Sequence, residues 1–197
     1  MMKKAFSLGL LVAVLLVFLF GCSEEGKVDQ GRAVAFDKDK KQVTIIRDKK
    51  ADAQTPDYSY LPPITYTLPL DPAETGPEPS VGGRMKLDAG KNQIVVFDPQ
   101  ARNFKTIDFK LVEKKDGIER QDPLVQGKKF PAVDKAKQTV SIYSGRQKIL
   151  ITFSVPEEYM AWPESAWDAG DEVRIYYKEE GKALRFMNVS KTDIFKK

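Results

Sequence analysis

Hydrophobic and polar residues alternate in short segments over most of the chain, and Gly, Pro, Asn and Asp residues separate these segments. A two-residue period is typical of strands with one buried face, and no stretch here has a long 3.6-residue hydrophobic period. The pattern therefore predicts an all-β fold of short strands. The predicted strands are Arg32–Phe36, Gln42–Arg47, Ile64–Leu70, Arg84–Leu87, Gln93–Phe97, Phe104–Val112, Lys128–Val133, Thr139–Tyr143, Lys148–Val155, Glu172–Tyr177 and Ala183–Val189.

Two pairs of segments resemble each other, which indicates an internal repeat. Residues Asp37–Ile46 align with Asp134–Tyr143 without a gap, and Gly82–Leu87 align with Gly170–Ile175. Each half then consists of a strand, an Asp-containing turn, further strands and a hairpin that begins at Gly. We therefore predict two related domains, with a first repeat over residues 31–112, a polar linker over 113–126 and a second repeat over 127–197.

The two predicted repeats differ in their middle segments. The first carries an insertion in which seven of the twelve prolines fall between Pro56 and Pro79. The second carries Pro156 and Pro163, and these positions favour a short helix over Glu157–Ala161 because proline starts a helix well but cannot continue one.

This strand order resembles that of the OB-like and SH3-like small β-barrels of exported bacterial proteins. The features that carry the resemblance are the strand pair around an Asp-containing turn and the later Gly-Asp-Glu-Val strand that starts at Gly170. The resemblance implies two small β-barrels in tandem, and it implies an architecture rather than an activity.

The N-terminus has the features of an export signal. Lys3 and Lys4 precede an apolar run over Ala5–Phe20, which is shorter than the 18 or more residues of a membrane-spanning helix. Directly after it, Leu19-Phe20-Gly21-Cys22 resembles the lipobox of bacterial lipoproteins. The resemblance implies a signal peptide over residues 1–21 that is cleaved after Gly21, lipid attachment at Cys22, and a polar tether over 22–30.

An uncleaved signal anchor with an incidental cysteine is the alternative interpretation. Lipidation is favoured because Cys22 is the only cysteine of the chain and lies where lipid attachment requires it. In lipoproteins of this kind Ser23, rather than Asp, implies the periplasmic face of the outer membrane. The whole chain also resembles an uncharacterised lipoprotein family of sulfate-reducing bacteria, and that resemblance implies no activity.

Composition excludes several kinds of chemistry. The 197 residues include no histidine, so imidazole catalysis and histidine metal sites are absent, and lipidation of Cys22 would leave no thiol. Removal of residues 1–21 leaves 30 basic and 28 acidic residues, a net charge of +2, which does not indicate a nucleic-acid partner. The Asp37-Lys-Asp39 segment lacks the Gly and Glu of a calcium loop, so we expect a hairpin turn and no metal or other cofactor.

The segment over Pro156–Glu172 combines acidic residues with the two tryptophans and contains no Lys or Arg. Aromatic faces beside carboxylates are typical of sugar-binding sites and also suit a cationic partner. The alternative is that Tyr159 or Trp162 fills one end of a barrel and Trp167 packs ahead of the Gly170 turn, while the acids are solvated. The candidate ligand-binding residues are Tyr159, Trp162, Glu164, Trp167 and Asp168.

Residues 101–150 have the opposite character, with twelve basic and six acidic residues. A basic face in the cell envelope could contact lipid phosphates or acidic polysaccharide, but a solvated surface explains the same pattern. The sequence shows no phosphate-binding loop, no nucleophile elbow and no spacing that identifies a catalytic acid and base.

We therefore expect a lipid-anchored cell-envelope protein that is a binding or scaffold module and not an enzyme. Its expected partners are the membrane, through the lipid, and an envelope protein or polysaccharide. The alternative function is a carboxylate-dependent hydrolase or binder of envelope polysaccharide that uses the residues around Trp162 and Trp167.

Overall fold

The computed structural model describes residues 25–50, 52 and 55–192, so the predicted signal peptide, Gly21 and Cys22 lie outside the described residues. This part of the chain consists mainly of short strands, which confirms the all-β prediction. Its strands are β1 (Lys27–Asp37), β2 (Gln42–Arg47), β3 (Tyr60–Thr67), β4 (Arg84–Asp88), β5 (Gln93–Asp98), β6 (Asn103–Asp108), β7 (Lys110–Asp116), β8 (Ala132–Asp134), β9 (Thr139–Ser144), β10 (Ile149–Ser154), β11 (Glu172–Tyr177) and β12 (Ala183–Asn188).

Helical structure is confined to short turns in the described residues. A helix, α1, covers Glu157–Met160 at the predicted position, and single 3₁₀ turns cover Pro72–Glu74 and Glu164–Ala166. No helix in the described part of the chain is long and apolar enough to cross a membrane.

The strands form three antiparallel sheets. Sheet I has the order β12-β11-β1-β2-β3, sheet II has the order β4-β5-β6, and sheet III has the order β7-β10-β9-β8. In sheet I, β11 pairs with β1 along Lys27–Arg32. Strands from the two ends of the chain therefore lie side by side in sheet I, and the chain between them builds sheets II and III.

This topology does not show the two small β-barrels that the sequence predicts in tandem, because no sheet of the described strands forms a closed barrel. The outer strands of sheet I, β3 and β12, meet only through isolated bridges in the described structure, and neither sheet II nor sheet III closes on itself. The aligned segments Asp37–Ile46 and Asp134–Tyr143 do both form hairpins, but these lie in sheets I and III. The two segments thus share a hairpin of the same kind, whereas the distant pairing of β1 with β11 has no local sequence signal.

The shared turn occurs five times in the described residues. Four-residue loops connect β1–β2, β4–β5, β5–β6, β8–β9 and β9–β10. In each, an Asp or Ser side chain at the end of the first strand accepts a hydrogen bond from the backbone N–H three residues later, as Asp37 does from Lys40 and Asp134 from Lys137. The last loop residue has a positive φ in every case. An oxygen-bearing side chain at this position thus specifies the hairpin.

The three sheets stack with sheet II in the middle. One hydrophobic cluster lies between sheets II and III, and its members include Ile94 and Phe153. A second lies on one face of sheet I and includes Tyr66 and Phe186. A third lies between the other face of sheet I and sheet II, and it includes Ile46 and Phe97. Sheet II therefore packs on both faces, which connects all three layers.

Two further segments differ from the predictions. The predicted strand Phe104–Val112 divides at Phe109, where the chain leaves sheet II and enters sheet III. The Phe109 ring is buried and stacks on Phe153 with ring centroids 4.3 Å apart, so an unbroken hydrophobic pattern conceals the corner. The predicted tether 22–30 is also shorter, because β1 begins at Lys27. The predicted linker 113–126 begins with the last four residues of β7.

Candidate functional site

A cavity of about 170 Å³ lies where the β5–β6 turn, the segment before β4 and the helical segment after β10 come together. We call it the Trp162 cavity. Its walls are mainly apolar, with a polar rim. The lining residues are Val34, Val81, Gly82, Gly83, Phe97, Asp98, Pro99, Gln100, Trp162, Pro163, Ser165 and Ala166.

Backbone hydrogen bonds hold the walls of the cavity in place. Gly83 N donates to Ser165 O at 2.9 Å, and Arg84 N donates to Asp168 O at 2.8 Å. On the other side, Phe97 N donates to Gly83 O at 2.8 Å. The segment that enters β4 is therefore bonded to both the helical segment and β5, so the position of Trp162 depends on sheet II.

Three of the candidate residues form one aromatic cluster. The Tyr159 and Trp162 rings meet edge to face at 5.3 Å between centroids, and the Trp162 and Trp167 rings lie 6.3 Å apart. Trp167 is completely buried and contacts Phe153 edge to face at 6.5 Å. Trp167 therefore belongs to the core, whereas half-buried Trp162 lines the cavity.

Two arginines donate hydrogen bonds to the backbone beside this cluster. Arg84 Nε donates to Trp167 O at 3.0 Å, and Arg32 Nη1 donates to Ala169 O at 2.9 Å. The Arg32 guanidinium also lies over the Tyr58 ring at 4.4 Å. Burial, together with the Arg32 charge, lowers the pKa of Arg84 to about 10, so Arg84 stays charged at neutral pH. Burial raises the pKa of Tyr58, which stays neutral.

The two candidate acids do not face the cavity. Glu164 is exposed on the 3₁₀ turn and is not among the lining residues. Asp168 is half-buried, and its carboxylate accepts a hydrogen bond from Gly170 N at 3.4 Å. The predicted pairing of tryptophans with carboxylates therefore exists in sequence but not at one surface.

The polar rim of the cavity comes instead from the β5–β6 turn and the 3₁₀ turn. Asp98 lies there, and its Oδ1 accepts hydrogen bonds from Gln100 N at 2.9 Å and Ala101 N at 3.2 Å. Among the described residues, neither the Gln100 amide nor the Ser165 hydroxyl has a hydrogen-bond partner. These groups are available to bind hydroxyl groups of a ligand.

Comparison with known families matches residues 24–197 to a family described as Domain of unknown function (DUF4881). The chain belongs to this family. No curated protein and no solved structure matches this chain. The family match covers the whole described fold and begins two residues after Cys22, so the family and the lipobox are separate findings.

Carboxylates pair with part of the basic segment over residues 101–150. Five of its twelve basic residues lie within 4 Å of a carboxylate, as in the pair Lys148–Glu119 at 2.7 Å. The pair Arg146–Glu172, at 3.9 Å, even connects sheet III with sheet I. This agrees with the interpretation of a solvated surface. No group of three acidic or cysteine side chains in the described part of the chain could hold a metal ion.

No sequence pattern predicted Asp98, Gln100 or the backbone at Gly82 and Gly83 as part of a site. The Asp98 turn resembles four other hairpin turns, so its sequence does not distinguish it as part of a site. The Gly82-Gly83 pair is the one available signal, because adjacent glycines indicate a close approach of backbone segments.

Proposed function

We propose that this protein is a lipid-anchored, non-catalytic binding module of the bacterial cell envelope, and that the Trp162 cavity binds one sugar ring of an envelope polysaccharide. The observation that carries the proposal is the position of Trp162, half-buried at a cavity with unpaired polar side chains at its rim. The anchor is expected on the periplasmic side of the outer membrane.

Size and chemistry support a single sugar ring as the ligand. A cavity of about 170 Å³ is slightly larger than cavities of about 150 Å³ that hold one benzene ring. Trp162, Phe97 and the two prolines offer apolar contact to the C–H face of a sugar. Asp98, Gln100 and Ser165 offer hydrogen-bonding groups to its hydroxyls, which is the usual division in small-molecule sites.

The arrangement of carboxylates favours binding over hydrolysis. Glycoside hydrolysis ordinarily uses two carboxyl groups about 5–9.5 Å apart that flank the scissile bond. Asp98 is the one carboxylate among the described residues that line the cavity, and its Oδ1 caps its own turn. Glu164 and Asp168, which the hydrolase alternative requires, lie outside the lining.

Trp162 gives a direct test of ligand binding, because the chain has only two tryptophans. In a Trp167→Phe background, titration with soluble peptidoglycan fragments should change the fluorescence of Trp162. Trp162→Ala should weaken binding, measured by calorimetry, about tenfold, which corresponds to about 1.4 kcal/mol. Trp162→Phe should retain more of the affinity because it keeps an aromatic face.

The control for this experiment is Glu164→Gln, which should leave the affinity unchanged because Glu164 does not line the cavity. Equal loss of affinity in Glu164→Gln and Trp162→Ala would contradict the proposed site. Release of smaller fragments from the ligand by the wild-type protein would favour the hydrolase instead.

The anchor has a separate test at Cys22. Cells that express the full chain and are fed radiolabelled palmitate should label the wild type, and Cys22→Ala should abolish the label because the thiol is the acyl acceptor. Ser23→Ala is the matched control and should keep the label. Label that persists on Cys22→Ala would contradict lipidation at this position.

A further inference from the structure

A second pocket, of about 460 Å³, opens at the start of β1. We call it the β1 pocket. Strand β1 is central in sheet I, so the pocket draws residues from β1, from the ends of β2 and β3, and from β11. Its lining is mostly charged or polar: Val28, Asp29, Gln30, Arg47, Asp48, Lys49, Tyr60 and Arg174.

The cations of the β1 pocket are accessible. Lys49 and Arg174 are exposed, and within the described residues neither has a carboxylate within 4 Å. Arg174 donates from Nε and Nη2 to Gln30 Oε1, at 3.1 and 2.8 Å, so a neutral acceptor orients its guanidinium. Arg47 lies over the Tyr60 ring at 4.0 Å, and its buried Nε has no hydrogen-bond partner in the described structure.

The carboxylates of the same pocket, Asp29 and Asp48, are partly buried and hydrogen-bonded. Asp29 Oδ2 accepts a hydrogen bond from Tyr66 OH at 2.6 Å and lies 3.6 Å from Arg47 Nη1. Asp48 Oδ1 accepts from Asp57 N at 2.7 Å and from Lys50 N at 3.0 Å, while its Oδ2 is buried. A ligand in the pocket therefore meets positive charge and hydrogen-bond donors, the combination that binds phosphate.

Exposed aromatic and apolar side chains surround these cations. Val28 is 57% exposed, Tyr60 41% and Tyr176 37%. Val28 and Tyr176 are opposite each other in the pairing of β1 with β11, so their side chains share one face of sheet I. Tyrosine beside lysine and arginine is typical of protein surfaces that contact the headgroup region of a membrane.

We infer that the β1 pocket binds the phosphate of a membrane phospholipid headgroup, through Lys49 and Arg174. The choice of a lipid as the source of the phosphate rests on the proposed anchor at Cys22. The covalent chain from Cys22 to Lys27 can span at most about 18 Å, so an anchored protein holds this pocket close to the lipid surface. Headgroup binding then fixes the orientation of sheet I on the membrane.

The test uses the mature chain from residue 22 with Cys22→Ser, so that no covalently attached lipid contributes to membrane binding. Cosedimentation with vesicles of phosphatidylethanolamine and phosphatidylglycerol should detect binding. The double variant Lys49→Gln/Arg174→Gln should weaken it about 25-fold, since each basic residue at an anionic surface contributes about fivefold. Lys135→Gln/Lys137→Gln, on the β8–β9 turn, removes the same charge and should weaken binding less than about twofold.

Each outcome of the vesicle experiment supports or overturns a definite part of the inference. Equal weakening in the two double variants, or no binding of the wild type to the vesicles, would overturn the inference. Binding of inorganic phosphate at Lys49 and Arg174, followed by NMR, without vesicle binding would overturn the lipid as the source. In each of these cases palmitate labelling of Cys22 and ligand binding at Trp162 are measured independently, so the proposed function stands or fails by its own experiments.

Discussion

Replacing Gly82 by alanine should lower the free energy of unfolding by about 3 kcal/mol or more, because the added methyl group would overlap backbone atoms that cannot move independently. A Cβ at Gly82 would lie 2.2 Å from Gly170 N and 2.4 Å from Asp168 O. Gly82 N also donates to Ala33 O at 3.0 Å, which ties this contact to the middle of sheet I.

Thermal unfolding followed by circular dichroism would measure this effect. For a chain of this length, a loss of about 3 kcal/mol corresponds to a fall in melting temperature of roughly 6–12 °C. The matched control is Gly90→Ala in the β4–β5 turn, where the nearest atom to the added Cβ, Asp88 Oδ1, is 3.6 Å away. A Gly82→Ala protein as stable as Gly90→Ala would contradict the close approach of the segment before β4 to the segment before β11.

Replacing Trp167 by alanine should cost about 3–5 kcal/mol of stability, because it leaves a large cavity between sheets II and III. Trp167 is fully buried, and its ring contacts Phe153 and Trp162. Its Nε1 has no hydrogen-bond partner in the described structure. Trp167→Phe should therefore cost less than about 2 kcal/mol, since it retains the aromatic contact and loses no hydrogen bond.

Chemical denaturation would measure the stability lost in Trp167→Ala and in Trp167→Phe, with Trp162→Ala as comparison. Trp162 is only half-buried, so its removal should destabilise the protein less than Trp167→Ala does. Equal destabilisation by Trp162→Ala and Trp167→Ala would contradict the assignment of Trp167 to the core and Trp162 to the cavity wall. Trp167→Phe also provides the single-tryptophan protein in which Trp162 fluorescence reports ligand binding.

Local features could be predicted from the sequence because they depend on neighbouring residues. Strands β2 and β11 were predicted with the bounds that the structure shows, since their alternation of buried and exposed positions is regular. The helix after Pro156 and the turns after Asp37 and Asp134 follow from proline geometry and from side-chain capping of the turn.

The candidate site could be predicted only in part. The aromatic members of the Pro156–Glu172 segment do come together, because a short helix and a 3₁₀ turn place Tyr159, Trp162 and Trp167 within contact distance. Glu164 and Asp168 do not line the cavity, and the carboxylate that does line it belongs to Asp98, about 70 residues earlier in the chain. The sequence shows which side chains lie close together along the chain, but it does not show which of them line the same surface.

By itself, the sequence determined the all-β class, most strand positions and the hairpin turns, because period, turn chemistry and burial are properties of a few consecutive residues. Tertiary structure alone decided that β11 pairs with β1, that sheet II lies between sheets I and III, and that Gly82 meets Gly170. These contacts join residues far apart in the chain, and their energy comes from backbone pairing and shape that no local pattern specifies. The Trp162 cavity and the β1 pocket both lie at such long-range contacts.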